Sequence, residues 1–291
     1  MLSLPRDVDP SLDADAHDII AAAHLLVAFL SARVALPAFD TITGPAEPVA
    51  ALVDAWVMHM TAKGVRVSAP PPSFTARGCY ASRATLPQSS PPLSSADPTI
   101  ALASPSRTTA ADIAALVPLY VAFSRHSPHP IEPDTAQLVL CEAVAARKVW
   151  LCYSHSDMDN EGSGNGRGDA RVLAGFSMLG RTTPRTIAIR HVFVCPEYRR
   201  RGLAEAMVRT VTRYYLGVGG DSACEDAETD GLRVAAASEV KRQVCLNVAD
   251  PAVERIYRRC GFLVDEDALD AETGARACYV SVLRCVQLLP P

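Results

Sequence analysis

The stretch HVFVCPEYRRRGLAEAMVRT, His191 to Thr210, sets three consecutive arginines, Arg199, Arg200 and Arg201, directly before Gly202. Apolar residues precede the run. After it, Leu203, Ala206, Met207, Thr210, Val211 and Tyr214 recur at helical spacing, so a strand runs through a basic turn into a helix with one buried side. The chemistry open to such a turn is anion binding. Unpaired N–H groups and the positive end of a helix dipole converge there, and guanidinium groups add charge. Gly202 leaves room for a phosphate and Ala204 is nearly as small. A solvated basic turn without a ligand accounts for the same residues, because an RxxGxA match alone is weak.

Two further groups of residues invite chemistry. In LNVADPAVERIYRRCGF, Leu246 to Phe262, a strand leads to Asp250 as helix cap, Pro251 at the first helical position and Gly261 just past the end. Tyr257 lies on that helix in the apolar stripe of Val253, Ile256 and Cys260. His126 and His129 form an HxxH in a proline-flanked loop, but no further ligands stand near, so no metal site is expected.

The elements that must position these residues follow from periodicity. Helical spacing covers Thr108 to Phe123, behind Thr and Asp cap candidates, and Asp134 to Ala146. KVWLCY and RVLAGFSMLG read as strands, the second forming a hairpin with TIAIRHVFV across RTTPR, and QVCLNV is another. FLVDE and ARACYVSVLRCVQLL read as closing strands. From about Ile100 the order is strand, two helices, three strands, helix, strand, helix, strands: a mixed α/β (α+β) layer with a largely antiparallel central sheet flanked by helices. Residues 100–291 are expected to form this domain. Residues 1–99 form a mostly helical N-terminal extension, with helices at Asp15 to Val34 and Pro48 to Lys63 and a Pro/Ser-rich linker in which FTARGCYASRATL reads as a strand. Polar segments at Ser154 to Arg171 and Gly217 to Ala235 are surface insertions.

Composition narrows the function. With 49% apolar and 21% charged residues the 291-residue chain is soluble and globular, and its formal charge of −4 argues against non-specific nucleic-acid binding. Nine cysteines without a CxxC pair suit a reducing compartment, so the expected address is the cytoplasm, with the nucleus left open. The apolar run from Ile19 is broken by His24, Ser31 and Arg33 and reads as a buried helix, not a membrane span.

The pattern V-x-P-E-Y-R-x-x-G-x-A, Val194 to Ala204, resembles the acetyl-CoA signature of the GNAT N-acetyltransferase superfamily, and LNVADPAVERIYRRCGF resembles its second signature, ending in Y-x-x-x-G-F. SRTTAADIAALVPLYVAF and the hairpin fall where that family has its first helix and its third and fourth strands, so the likeness spans about Ile100 to Leu289. The resemblance implies acetyl-CoA as acyl donor, no metal, and an amine acceptor attacking the thioester directly. A bulge in the fourth strand would splay it from the fifth. Pantetheine would then pair with Phe193 and Val194, and pyrophosphate would rest on the amides of Arg199, Arg200, Arg201, Gly202, Leu203 and Ala204.

Tyr257 matches the tyrosine that protonates the leaving thiolate, although packing alone also explains it. Asp250 stands where many relatives have asparagine; it is a cap by its own sequence context, and an anion beside coenzyme A is awkward, so Asn247 is the substitute contact. His191 is a candidate relay for the amine proton or a packed residue. The N-terminal helices are a cap over the acceptor side, a homodimerisation arm or a stabilising appendage. The expected function is an acetyl-CoA-dependent N-acetyltransferase acting on a primary amine of a small molecule or protein. The alternative is a non-catalytic coenzyme A-binding or interaction module with a degenerate fold. A nucleotide binder of another fold is disfavoured, because GxxxxGK[ST] and GxGxxG are both missing.

Overall fold

A computed structural model of the chain describes residues 16–34, 40–87, 100–105, 107–126, 130–155, 171–218, 240–265, 267–270, 274 and 276–289. The helices are α1 (Ala16–Ser31), α2 (Ala46–Ala62), α3 (Ile113–Ser124), α4 (Pro133–Ala145), α5 (Leu203–Tyr215) and α6 (Glu254–Arg259). The strands are β1 (Thr41–Pro45), β2 (Val67–Ser68), β3 (Phe74–Ser82), β4 (Ile100–Ala103), β5 (Val149–His155), β6 (Arg171–Thr182), β7 (Thr186–Val194), β8 (Gln243–Val248), β9 (Cys278–Cys285) and β10 (Gln287–Leu288). None of the described helices is long and apolar enough to cross a membrane. His129, residues 88–99 and 106 of the Pro/Ser-rich linker, and most of both polar insertions lie outside the described residues.

The chain divides into two compact units that cut across the boundary expected near residue 99: one holds residues 1–79, 247–254 and 263–291, the other 80–246 and 255–262. In the first, β9 pairs antiparallel with both β1 and β3, and β10 with β2. The two expected N-terminal helices pack through Ala23, Val27, Val49, Val53, Trp56 and Met60 onto Val282 and Val286. As expected, α2 stops at Gly64, where φ is +75° and the amides of Gly64 and Val65 bond back to Thr61 and Met60.

One strand gave no sequence signal, and one reading needs correction. TITGP is strand β1, which had no hairpin signal because its partner β9 lies at the other end of the chain. Residues 262–264 of FLVDE form no strand; the Val264 carbonyl instead accepts from Arg77 Nη1 at 3.1 Å and Cys278 Sγ at 3.6 Å.

The second unit is a mixed α/β layer. β4, β5, β6 and β7 are antiparallel neighbours in chain order, and β8 joins β7 in parallel. Because side chains alternate along a strand, consecutive residues serve opposite faces. Leu151, Phe176 and Phe193 join Leu116, Tyr120 and Leu140 of α3 and α4, while Cys152 and Val194 join Leu203 and Met207 of α5, together with Ala174, the extra residue of a β6 bulge opposite Cys152 and Tyr153. A reciprocal bond pair starts the segment before α3: Thr109 N–H donates to the Asp112 carboxylate at 2.7 Å, closing a capping box. α6 ends as its sequence announces, with Gly261 N–H bonded to Arg258 O and Phe262 N–H to Tyr257 O.

His191 belongs to the α3 face. Its ring centroid lies 4.5 Å from that of Phe123 and 5.7 Å from that of Tyr120, and its Nδ1 is sealed from solvent without a hydrogen-bond partner among the described residues. Burial, assisted by the Arg190 charge, pushes its pKa down to about 3.

Two outcomes follow for stability. Gly261 has φ +91°, and a β-carbon there would stand 2.9 Å from Thr85 O and 3.1 Å from Leu86 Cα, whereas the left-handed Gly64 faces open space. Gly261→Ala should therefore lose about 2–3 kcal/mol in denaturant titration and Gly64→Ala only about 1 kcal/mol; equal losses would show that the close approach is not rigid. The second concerns pH. Native His191 stays neutral down to about pH 3, while the unfolded chain takes up its proton near pH 6.5. Its contribution is thus complete above pH 6.5 and is lost as pH falls towards 3. His191→Phe, which keeps an aromatic ring, should flatten the decline in stability between about pH 6 and pH 4; an unchanged slope would mean that the imidazole protonates in place.

Candidate functional site

The site is assembled along one continuous piece of chain, the end of β7, the arginine turn and the start of α5. β7 carries a bulge: Met178 and Leu179 are consecutive on β6, but their partners are His191 and Ile189, so Arg190 is the extra residue. Parallel pairing of β7 with β8 runs from Thr186↔Gln243 to Ile189↔Leu246 and ends there, one residue before the bulge.

Beyond the bulge, hydrogen-bond direction can be read from one contact. Cys195 N–H donates to Ala174 O at 2.9 Å, so Gly175↔Val194 is a non-hydrogen-bonded pair and Phe176↔Phe193 is the pair that exchanges backbone bonds. The amide of Phe193 is therefore committed to β6, and that of Val194 points to the opposite edge. The sequence suggested both amides equally; the structure separates them. The Val194 carbonyl is directed the same way and accepts from Arg199 Nε at 3.1 Å.

Gly175 holds this strand end close to β6. A β-carbon there would stand 2.5 Å from Phe193 O and 3.3 Å from Val194 Cα. Sequence reasoning passed over Gly175, since a glycine in a strand announces a close approach without naming its partner.

The turn itself alternates in hand. Arg199 is extended, Arg200 has φ +66° and Gly202 has φ +81°. Successive N–H groups in such alternating conformations converge into an anion-binding concavity. Gly202 is the residue before α5 and offers no side-chain cap, so the first amides of the helix have no intrahelical acceptor and no capping oxygen. A β-carbon on Gly202 would meet nothing within 4 Å, which leaves the space over these amides open.

The three arginines have different surroundings. Arg199 ties the turn to Val194 and lies 5.9 Å from the Phe193 ring centroid, while Arg201 stacks over Tyr198 at 5.6 Å. All three, with Glu197, are exposed.

Glu205, in the first turn of α5, would place a negative charge beside this anion site. Arg209 donates to its Oε1 at 2.5 Å, and Arg259 of α6 donates to its Oε2 from Nε at 2.8 Å and again from Nη2. Its charge is thus answered twice. Glu205 and Arg209 stand four apart, a spacing visible in sequence; Arg259, 54 positions on, gave no signal.

The remaining candidates are placed as follows. Tyr257, half-buried on α6, sets its ring edge-on to Phe262 at 6.1 Å. Cys195 is a thiol whose pKa is raised by burial and by the Glu197 charge, and its Sγ lies 3.9 Å from Leu173 O. Asn247 and Asp250 belong to the first unit and are both exposed; the Asp250 carboxylate accepts from Ala252 N–H at 2.9 Å as a helix cap. All described cysteines are free thiols, and no group of three potential metal ligands occurs among the described residues.

Residues 165–264, which contain the β7 end, the turn, α5 and α6, match the family model described as an acetyltransferase (GNAT) domain. No curated protein matches the chain. Among solved structures, a GCN5-related N-acetyltransferase from Sphaerobacter thermophilus is 16% identical, with a TM-score of 0.45 over 97% of this chain and 71% of that one. A GCN5-related N-acetyltransferase from Kribbella flavida is 12% identical, with a TM-score of 0.46 over 93% and 76%. A tandem GNAT protein from the clavulanic acid biosynthesis pathway is 13% identical, with a TM-score of 0.42 over 97% and 73%. The signature turn, Arg199 to Ala204, lies inside the residues that match this GNAT model.

Proposed function

We propose that the protein is an acetyl-CoA-dependent N-acetyltransferase that acetylates a primary amine, of a small molecule or a protein, by direct attack. The observation that supports this most is the Val194 amide, turned to the edge where β8 pairing has ended, a few residues before the open amides at Gly202. The residues fit the cofactor: a donor edge for an extended amide-bearing chain leads into a concavity suited to a pyrophosphate, with room where any other residue would carry a β-carbon.

Bound acetyl-CoA would supply a thioester-activated acetyl group. The amides of Gly202, Leu203 and Ala204 would hold phosphate oxygens, with Arg200 and Arg201 adding charge at the rim and Arg199 keeping the turn on β7. The Val194 N–H would polarise the carbonyl under attack, where a preorganised donor lowers the barrier most. The acceptor amine would attack as the neutral form and lose its proton to solvent, and the Tyr257 hydroxyl would give a proton to the departing thiolate.

His191, with its pKa near 3, is too weak a base to relieve an ammonium of its proton. We assign it to packing and deprotonation of the amine to solvent. We also assign Asp250 to helix capping. Free thiols suit a reducing compartment, and we place the protein in the cytoplasm.

Calorimetric titration with acetyl-CoA tests the cradle directly. Wild type should bind with a Kd of micromolar order, and Gly202→Glu, which adds bulk, negative charge and a strained left-handed backbone, should weaken binding at least about 100-fold. A folded wild type that does not bind would remove the cofactor assignment. For the acid, Tyr257→Phe should lower kcat by about 10- to 100-fold with an amine acceptor and leave the Kd for acetyl-CoA within about twofold. If kcat is unchanged, Tyr257 only packs; if wild type binds the cofactor yet consumes none with a mixed-amine library, the non-catalytic alternative is correct.

A further inference from the structure

We propose that the outward face of α1 is the docking surface for α1 of a second copy of this chain, the two helices running antiparallel about a two-fold axis. This is independent of the acetyl-transfer reading. α1 has two apolar faces. Ala23 and Val27 are buried against α2, and the opposite face holds Ala21, Ala22, Leu25, Ala28, Phe29 and Ala32, all exposed. Leu25 is 74% exposed and Phe29 53%, the two large side chains of an otherwise small-residue stripe. A helix that is apolar all round belongs between partners, and alanines let a second helix approach closely around the larger knobs.

Charge selects the occupant and its direction. Between Asp18 and Arg33 the segment has no Asp, Glu, Lys or Arg, and these two exposed residues fall at opposite ends of the same stripe. With a two-fold axis between Leu25 and Leu26, residue 18 of one copy faces residue 33 of the other, and Phe29 faces Ala22. Each copy thus supplies the acid at one end and the base at the other, giving two identical ion pairs, while Arg33 already stacks on Phe29 at 4.1 Å. A parallel pair would set Asp18 against Asp18. A lipid surface fits less well, since an interfacial helix carries lysines and arginines along its polar flanks and α1 has none.

Sedimentation velocity of the full chain from about 1 to about 200 µM should show a monomer–dimer equilibrium with a Kd of micromolar order, as one helix pair is a small interface. Leu25→Glu should abolish the dimer. Asp18→Arg and Arg33→Asp should each weaken it about tenfold, and the double exchange should return to within about threefold of wild type, because the pairs are restored with reversed polarity. All three positions are exposed, and unchanged circular dichroism confirms that the variants are folded. The proposal is overturned by a wild type that stays monomeric throughout, by a dimer that survives Leu25→Glu, by a double exchange no tighter than its single parents, or by Leu25-dependent sedimentation with phosphatidylglycerol vesicles in place of self-association.

Discussion

Backbone hydrogen bonds along β7 have two neighbours up to Ile189 and one beyond it, and the site depends on that change. A buried strand normally satisfies both edges, since an unpaired amide away from water costs free energy comparable to a lost bond. The bulge at Arg190 breaks that continuity on the β6 side as well, so the strand leaves the bulge re-registered. From there Phe193 faces β6 and Val194 faces away, an alternation that a one-residue slip would reverse. Gly175 fixes the register from the other side, because only a residue without a β-carbon tolerates the Phe193 carbonyl so near.

The same economy of backbone donors explains the arginine turn. Three arginines before a glycine suggest binding by charge, yet Arg199 is engaged with the Val194 carbonyl and Arg201 with the Tyr198 ring. What stays open is main chain: the left-handed Arg200 and Gly202 and the uncapped start of α5. Oriented amides need no reorganisation to meet an anion, whereas a free guanidinium gives up rotamer entropy when it is fixed. In the proposed reading the arginines therefore shape and steer the turn while the amides would provide the grip.

Most of the elements were legible because their period is local. α5 is amphipathic along its length, and Gly64 and Gly261 each sit just past a helix end as the sequence announces. β1 was not legible, since TITGP is stabilised by a strand more than 200 positions away and has no turn to betray the pairing. At the site, the turn was readable from Arg199 to Ala204, but the unequal roles of Phe193 and Val194 were not. Both are apolar strand residues, and only the Cys195–Ala174 bond sets their parity. His191 was readable as a titratable group on a strand; its neutral state comes from Tyr120 and Phe123, brought over from α3.

Glu205 shows how the fold reconciles two demands at one helix start. An acidic residue in the first turn stabilises α5 by facing the positive end of its dipole. The same carboxylate would repel a phosphate bound at the adjacent amides. Arg209 and Arg259 resolve this by donating to its two oxygens from opposite directions, one along α5 and one from α6. The group of three then carries one net positive charge, so the carboxylate contributes to helix stability and to the attachment of α6 without opposing an anion. Removing the carboxylate would leave two arginines adjacent and take away one tie between α5 and α6, the helix that carries Tyr257. The charge balance beside the turn and one tie to the helix of the candidate acid thus rest on the same side chain, so the proposed anion site and the proposed acid are linked through a residue with neither role.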